Sequence, residues 1–156
     1  MQRHIQRTLI LTGFILLVAV SFSADAELGG SINSIDADKI HMKAQVRSPV
    51  VAAAAYTVHE LTLPSNTVVR QYASASGIVF AVSWHGPFKP DLRQLLGPHF
   101  DTMLERQSHN THAGHPHTRI NEQNLVIESG GHMRNFVGRA YLPGQMPAGV
   151  TAQDIK

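Results

Sequence analysis

YTVHELTLPSNTVVRQYASASGIVFAVSWHGP, residues 56–87, holds three short apolar-alternating runs separated by two turn clusters. The first run, residues 56–63, sets Tyr56 and Val58 on one side and Leu61 and Leu63 on the other. A pattern that slips in this way means that both faces of the strand are covered, or that a bulge near His59 and Glu60 switches the register. Pro64, Ser65 and Asn66 then turn the chain, because proline fixes φ and asparagine tolerates the left-handed region. A second strand is expected over residues 68–72, a turn over 74–77 and a third strand over 78–84. In that third run Ile78, Phe80, Val82 and Trp84 alternate strictly and are β-branched or aromatic, which predicts a strand with all four on one face. The three runs together predict an antiparallel meander.

Downstream, Asp91 stands where it can cap a helix over residues 92–106. Leu92, Leu95, Leu96, Phe100, Met103 and Leu104 recur there near the helical period and form one apolar face. Gly97-Pro98 falls inside it; proline removes a hydrogen bond and clashes with the preceding turn, so a kink or two helical pieces are expected. Residues 107–118 are polar and punctuated, and read as a loop. Residues 124–129 (NLVIES) read as a strand, Gly130-Gly131 as a tight turn and residues 133–142 as the hairpin partner. Residues 143–156 contain two prolines, two glycines and little apolar content, so an extended segment ending in a disordered tail over 151–156 is expected.

Upstream, residues 31–44 (SINSIDADKIHMKA) predict a short helix. Asn33 or Ser34 is placed to cap it, Asp36 and Asp38 suit its first turn, and Lys39 and Lys43 its end. Ile32, Ile35 and Met42 give it only a thin apolar stripe. Residues 45–55, with Ser48-Pro49 and four successive alanines, read as a connector. The order helix, three strands, helix, two strands predicts one α+β domain over residues 27–150. Its expected architecture is an antiparallel meander of about five strands with two short helices packed on it.

The chain has 156 residues, enough for one domain. Residues 1–26 carry the marks of a secretory signal peptide: Arg3 and Arg7, an uncharged apolar run over 9–20 (LILTGFILLVAV), then Ala24-Asp25-Ala26 before the cut. A membrane-crossing helix needs about 20 apolar residues, more than this run supplies, so no stable anchor is expected after cleavage. The expected location is periplasmic or secreted. Without a cysteine there is no disulfide and no lipid-modified cysteine, so core packing must carry stability in an oxidising compartment. Residues 27–156 hold eleven Lys and Arg against ten Asp and Glu, scattered singly, which excludes a nucleic-acid-binding patch.

His109, His112, His115 and His117 are the densest cluster of possible metal ligands. Neutral imidazole binds zinc, copper and nickel, and Asp101 or Glu105 stands near enough in sequence to add a carboxylate. The spacing matches no helix-borne ligand pair, and Gly114 and Pro116 loosen the loop, so the plainer reading is a solvated insertion. His132 and Arg134, two apart after Gly130-Gly131, are candidates to grip a carboxylate or phosphate with help from turn N–H groups. Against that, the glycines are needed by a hairpin turn whatever its function. His59 and Glu60 are adjacent on a strand and point to opposite faces, so they form no acid/base pair. Serine-nucleophile and phosphate-loop motifs are missing. With aromatic content at 6%, Tyr56, Tyr72, Phe80, Trp84, Phe100 and Phe136 are expected to be core.

Three blocks, LGGSINSIDADK (28–39), YTVHELTLPSNTVVRQYAS with GIVFAVSWHGPFKPDLRQLLG (56–97), and LVIESGGHMRNFVGRAYLPGQMPAGV (125–150), resemble a family of small exported bacterial proteins, domain of unknown function 2844. YTVHELTLP, PDLRQLLG and SGGHMR are its most specific segments, and the alanine connector and histidine loop lie outside the resemblance. The resemblance implies export, one compact domain and no assigned reaction or catalytic residue. The expectation is therefore an exported, non-catalytic domain that binds a protein or small ligand of the cell envelope, with no cofactor. The alternatives are a low-affinity transition-metal-binding protein using the four histidines, and an enzyme of unrecognised type built on His132, Arg134 and His59.

Overall fold

A computed structural model describes residues 27–47, 55–109, 117–122 and 124–156. The expected signal peptide, residues 1–26, lies outside the described residues, as do His112 and His115. A three-residue strand β1 (Gln45–Arg47) pairs with β2 (Tyr56–Thr62), which runs on through β3 (Val68–Ser74) to β4 (Val79–Gly86). The turns close as their residues require, with Asn66 at φ 62° and Gly77 at φ 79°. Farther on, β5 (Thr118–Glu122), β6 (Leu125–His132) and β7 (Asn135–Tyr141) form a second meander, and β7 pairs with β4. The described strands make one seven-stranded antiparallel sheet in the order β1-β2-β3-β4-β7-β6-β5.

The sequence reading expected about five strands. The two it lacked, β1 and β5, are three and five residues long and form the two edges of the sheet. An edge strand keeps one side toward water and needs no sustained apolar pattern, so one passed as connector and the other as the end of a loop.

β2 pairs with β3 without interruption from Tyr56 opposite Ser74 to Thr62 opposite Val68. Its slipped pattern therefore reflects cover on both faces, not a bulge. The bulge lies in β4: Tyr72 faces Ala81 and Ala73 faces Val79, leaving Phe80 as the extra residue. It carries Phe80 to the face opposite Val82 and Trp84, which corrects the expectation that these residues share one face. Ile78 stands outside the strand and is 37% exposed.

Leu61, Val69, Val82, Trp84, Ile127 and Ala140 pack on one face against Leu28, Ile35, Leu95, Leu96 and Met103. The last four come from three helices: α1 (Ile35–His41), α2 (Leu92–Leu96) and α3 (His99–His109). A 3₁₀ turn, Ile32–Ser34, leads into α1, and Ser31 caps it rather than Asn33 or Ser34, its Oγ accepting from the Asn33 N–H at 3.3 Å. Asp91 caps α2 as expected, and Gly97 at φ 52° separates α2 from α3, the two pieces that Gly97-Pro98 predicts.

The opposite face is half covered by the final residues. Met146, Val150 and Ile155 pack with Tyr56, Val58, Tyr72 and Phe80, and Ile155 is only 2% exposed. Residues 151–156 are thus a packed strap and not a disordered tail. The Asp154 carboxylate closes its 3₁₀ turn (Ala152–Asp154) by accepting from the Thr151 N–H at 2.8 Å and hydroxyl at 2.9 Å. Those two hydrogen bonds hold the Asp154 carboxyl below its ordinary range. Apolar residues at 146, 150 and 155 fit neither a helical nor a strand period, which is why the strap reads as polar tail.

Candidate functional site

Residues directly opposed in an antiparallel pair share a face. Following the register from β2 to β5 gives Glu60 opposite Arg70, Arg70 opposite Ser83, Ser83 opposite Arg139, Arg139 opposite Glu128 and Glu128 opposite Arg119. One polar row of mixed charge thus crosses six strands on the face away from the helices, with Ser83 near its centre. Each member has an apolar residue of the first cluster beside it in sequence, so the polar row is the reverse side of the core.

The charges compensate one another. Arg70 Nε donates to Glu60 Oε2 at 3.0 Å, and Arg139 Nε donates to Glu128 Oε2 at 2.8 Å. Arg119 stands 3.5 Å from the other Glu128 oxygen, with its own side chain 76% exposed. The strap takes the remaining donors. Ser83 Oγ, Tyr72 Oη and Arg70 Nη1 all donate to the main-chain oxygen of Lys156, at 2.7, 2.8 and 3.1 Å. Arg139 Nη1 donates to the main-chain oxygens of Ala152 and Ile155.

Beyond Lys156 the row opens into a cleft of about 660 Å³. Arg119, Glu128 and Arg139 form its floor; Ile155 and Lys156 close one end; His85, His117 and the half-exposed Val137 line the other. The His85 ring shares a hydrogen bond of 3.1 Å with the Asn135 amide oxygen. The site offers hydrogen-bond donors and one carboxylate over an apolar wall. Its central hydroxyl, on Ser83, is spent on a main-chain oxygen rather than on a histidine.

Of the residues expected to carry function, His117 lines this cleft. His109 closes α3, while His112 and His115 fall outside the described residues. Among the described residues no three His, Asp or Glu side chains gather as a metal would require. His132 and Arg134 do not lie together on a strand leaving a Gly-Gly turn. Gly130 and Gly131 belong to β6, His132 pairs with Asn135, and the turn consists of Met133 and Arg134, the latter at φ 64°. Gly130 is small because the His117 ring occupies the space a Cβ would fill, and Gly131 takes φ 117°. Neither His132 nor Arg134 lines the cleft.

Sequence reasoning passed over Arg70, Ser83, Arg119, Glu128 and Arg139. The available signal was a lone polar residue flanked by apolar ones on successive strands, but only the register aligns them. These features define an α+β domain with one sheet face sealed by helices and the other left partly open as a charged cleft. The chain belongs to the family described as protein of unknown function (DUF2844), whose model matches residues 24–155. No curated protein and no solved structure matches it.

Proposed function

We propose that this chain is an exported, non-catalytic binding domain of the cell envelope that binds through the cleft beside Arg119, Glu128 and Arg139. The cleft itself carries the proposal: it lies on the sheet face the helices leave free, and combines fixed charges with an apolar wall at Val137. Small-ligand sites likewise combine apolar surface with placed polar groups that fix orientation. Ser83 and His85, the residues there that most resemble catalytic groups, each have a different hydrogen-bond partner. Export rests on the features of residues 1–26.

Two measurements test the reading. A fragment library screened by amide chemical shifts is expected to perturb Ser83, Gly130, Val137 and Arg139 together, and to lose that effect in Val137→Trp, which fills the cleft. Hits elsewhere that survive Val137→Trp would overturn the assignment. Fractionation with N-terminal sequencing is expected to find a protein beginning at Glu27 outside the cytoplasm; an uncut chain in the cytoplasm would refute export.

A further inference from the structure

We infer that one end of the sheet is a docking tip for an anionic lipid bilayer, a peripheral contact that needs no membrane-crossing segment. Antiparallel order brings three loops to that end: residues 63–67 between β2 and β3, residues 87–90 after β4, and the Met133-Arg134 turn between β6 and β7. The last two meet: Gly86 lies opposite Phe136, and Lys89 Nζ stands 5.6 Å from the centre of the Phe136 ring. Phe88 is 59% exposed and Met133 88%, the highest value of any large apolar side chain among the described residues. Each stands next in sequence to an exposed cation, Lys89 and Arg134. The three loops, LPSNT, PFKP and HMRNF with its flanks, contain no Asp or Glu. The carboxylate nearest to Lys89 in sequence, Asp91, accepts from the N–H groups at the head of α2. None of the four tip side chains lines the cleft, so this surface is separate from the binding site proposed above.

The tip is presented by a fixed backbone. Thr67 Oγ1 donates to the Phe88 carbonyl oxygen at 2.8 Å, and a Cβ on Gly86 would lie 2.5 Å from Thr67 Cα, so the chain before Phe88 is pressed against the β2–β3 turn. The carbonyl is held while the ring stands in water. Arg134 takes φ 64°, a conformation that glycine or asparagine adopts at less cost, and its guanidinium has no hydrogen bond or ion pair among the described residues. The shape of the surface chooses between partners. A stable protein interface takes about 800 Å² from each side with a fitted apolar core, which two separate side chains on two turns do not supply. A bilayer is fluid and accepts single apolar side chains between its headgroups, without a fitted surface. Its charge then follows from the tip: two cations with no carboxylate beside them are drawn to a negative surface and gain nothing from a neutral one.

The test is flotation with vesicles of pure phosphatidylglycerol and of pure phosphatidylcholine. It uses the chain from Glu27 onward, which holds both core clusters entire, because the apolar run over 9–20 would bind vesicles by itself. At low ionic strength the wild type is expected to partition at least about tenfold more strongly onto phosphatidylglycerol, a preference that shrinks as salt is added. The double variant Lys89→Gln, Arg134→Gln should weaken binding to phosphatidylglycerol at least about tenfold. Phe88→Ser with Met133→Ser should do so by a similar factor. Ile40→Ser, which removes a side chain 77% exposed on α1, should leave binding unchanged. The replaced tip side chains are exposed, so the variants are expected to keep the wild-type thermal midpoint. Equal partition onto the two lipids, no partition onto phosphatidylglycerol, or tip variants that bind it as tightly as the wild type would each overturn the inference. So would a loss in Ile40→Ser as large as in the tip variants, which would move the contact to α1.

Discussion

A Cβ on Gly138 would collide with the Trp84 indole and come within 2.9 Å of the Glu128 carbonyl oxygen. Trp84 is 2% exposed and fixed in the first core cluster, so nothing there can yield. Gly138→Ala is expected to destabilise the fold by about 1–3 kcal/mol, the usual cost of overpacking. A Cβ on Gly130 would meet the His117 ring, but that ring is exposed and able to turn toward the cleft. Gly130→Ala should therefore cost less than about 1 kcal/mol. Urea midpoints of the two variants measure the contrast, and equal midpoints would show that Trp84 is not held as described. The sequence marks Gly138 only as glycine in a strand and reads Gly130 as part of a turn. Which ring stands over each depends on residues far away in the chain.

Among the elements, those legible in sequence are the ones whose order is set by near neighbours. β2, β3 and β4 are joined by short turns, and α2 begins at a cap that a short side chain can make alone. Asp91 accepts from the N–H groups of Arg93 and Gln94 at 3.0 and 3.2 Å, at the head of a helix only five residues long. Removing it by Asp91→Ala should cost about 1 kcal/mol and fray α2 first. Amide exchange at Leu95 reads this out, since its N–H donates to the Asp91 carbonyl at 3.1 Å; unchanged exchange would argue that packing of Leu95 and Leu96 holds the helix by itself. The elements that escaped the sequence are stabilised from a distance. β1 and β5 borrow their order from the strand beside them, and the strap from hydrogen bonds to β3, β4 and β7. The β6–β7 turn was misplaced because Gly130-Gly131 looks like a turn, when close packing of His117 and a left-handed φ inside the strand are what call for glycine.

At the scale of the molecule, pH acts through histidines partly withdrawn from water. Burial pushes the His59 imidazole below its ordinary value of 6.5, with Asp36 opposing in part, and burial alone does the same to His99. His59 Nε2 also has no hydrogen-bond partner among the described residues. As pH falls below 6.5 the unfolded chain takes up these protons before the folded one. Stability is thus full above that value and declines until the folded values are passed. The thermal midpoint is expected to drop between about pH 7 and about pH 5.5, and less steeply in His59→Leu. A flat profile in the wild type would refute this.

The pairing of β4 with β7 has a consequence for how the chain is made. β4 is buried along six of its eight residues, and its neighbours are β3, which precedes it, and β7, the last of the seven described strands in chain order. Until β7 arrives, this largely buried strand is a bare edge able to pair with any other strand. Two unfolded chains are most exposed to sticking together in the interval between the docking of the fourth strand and that of the seventh.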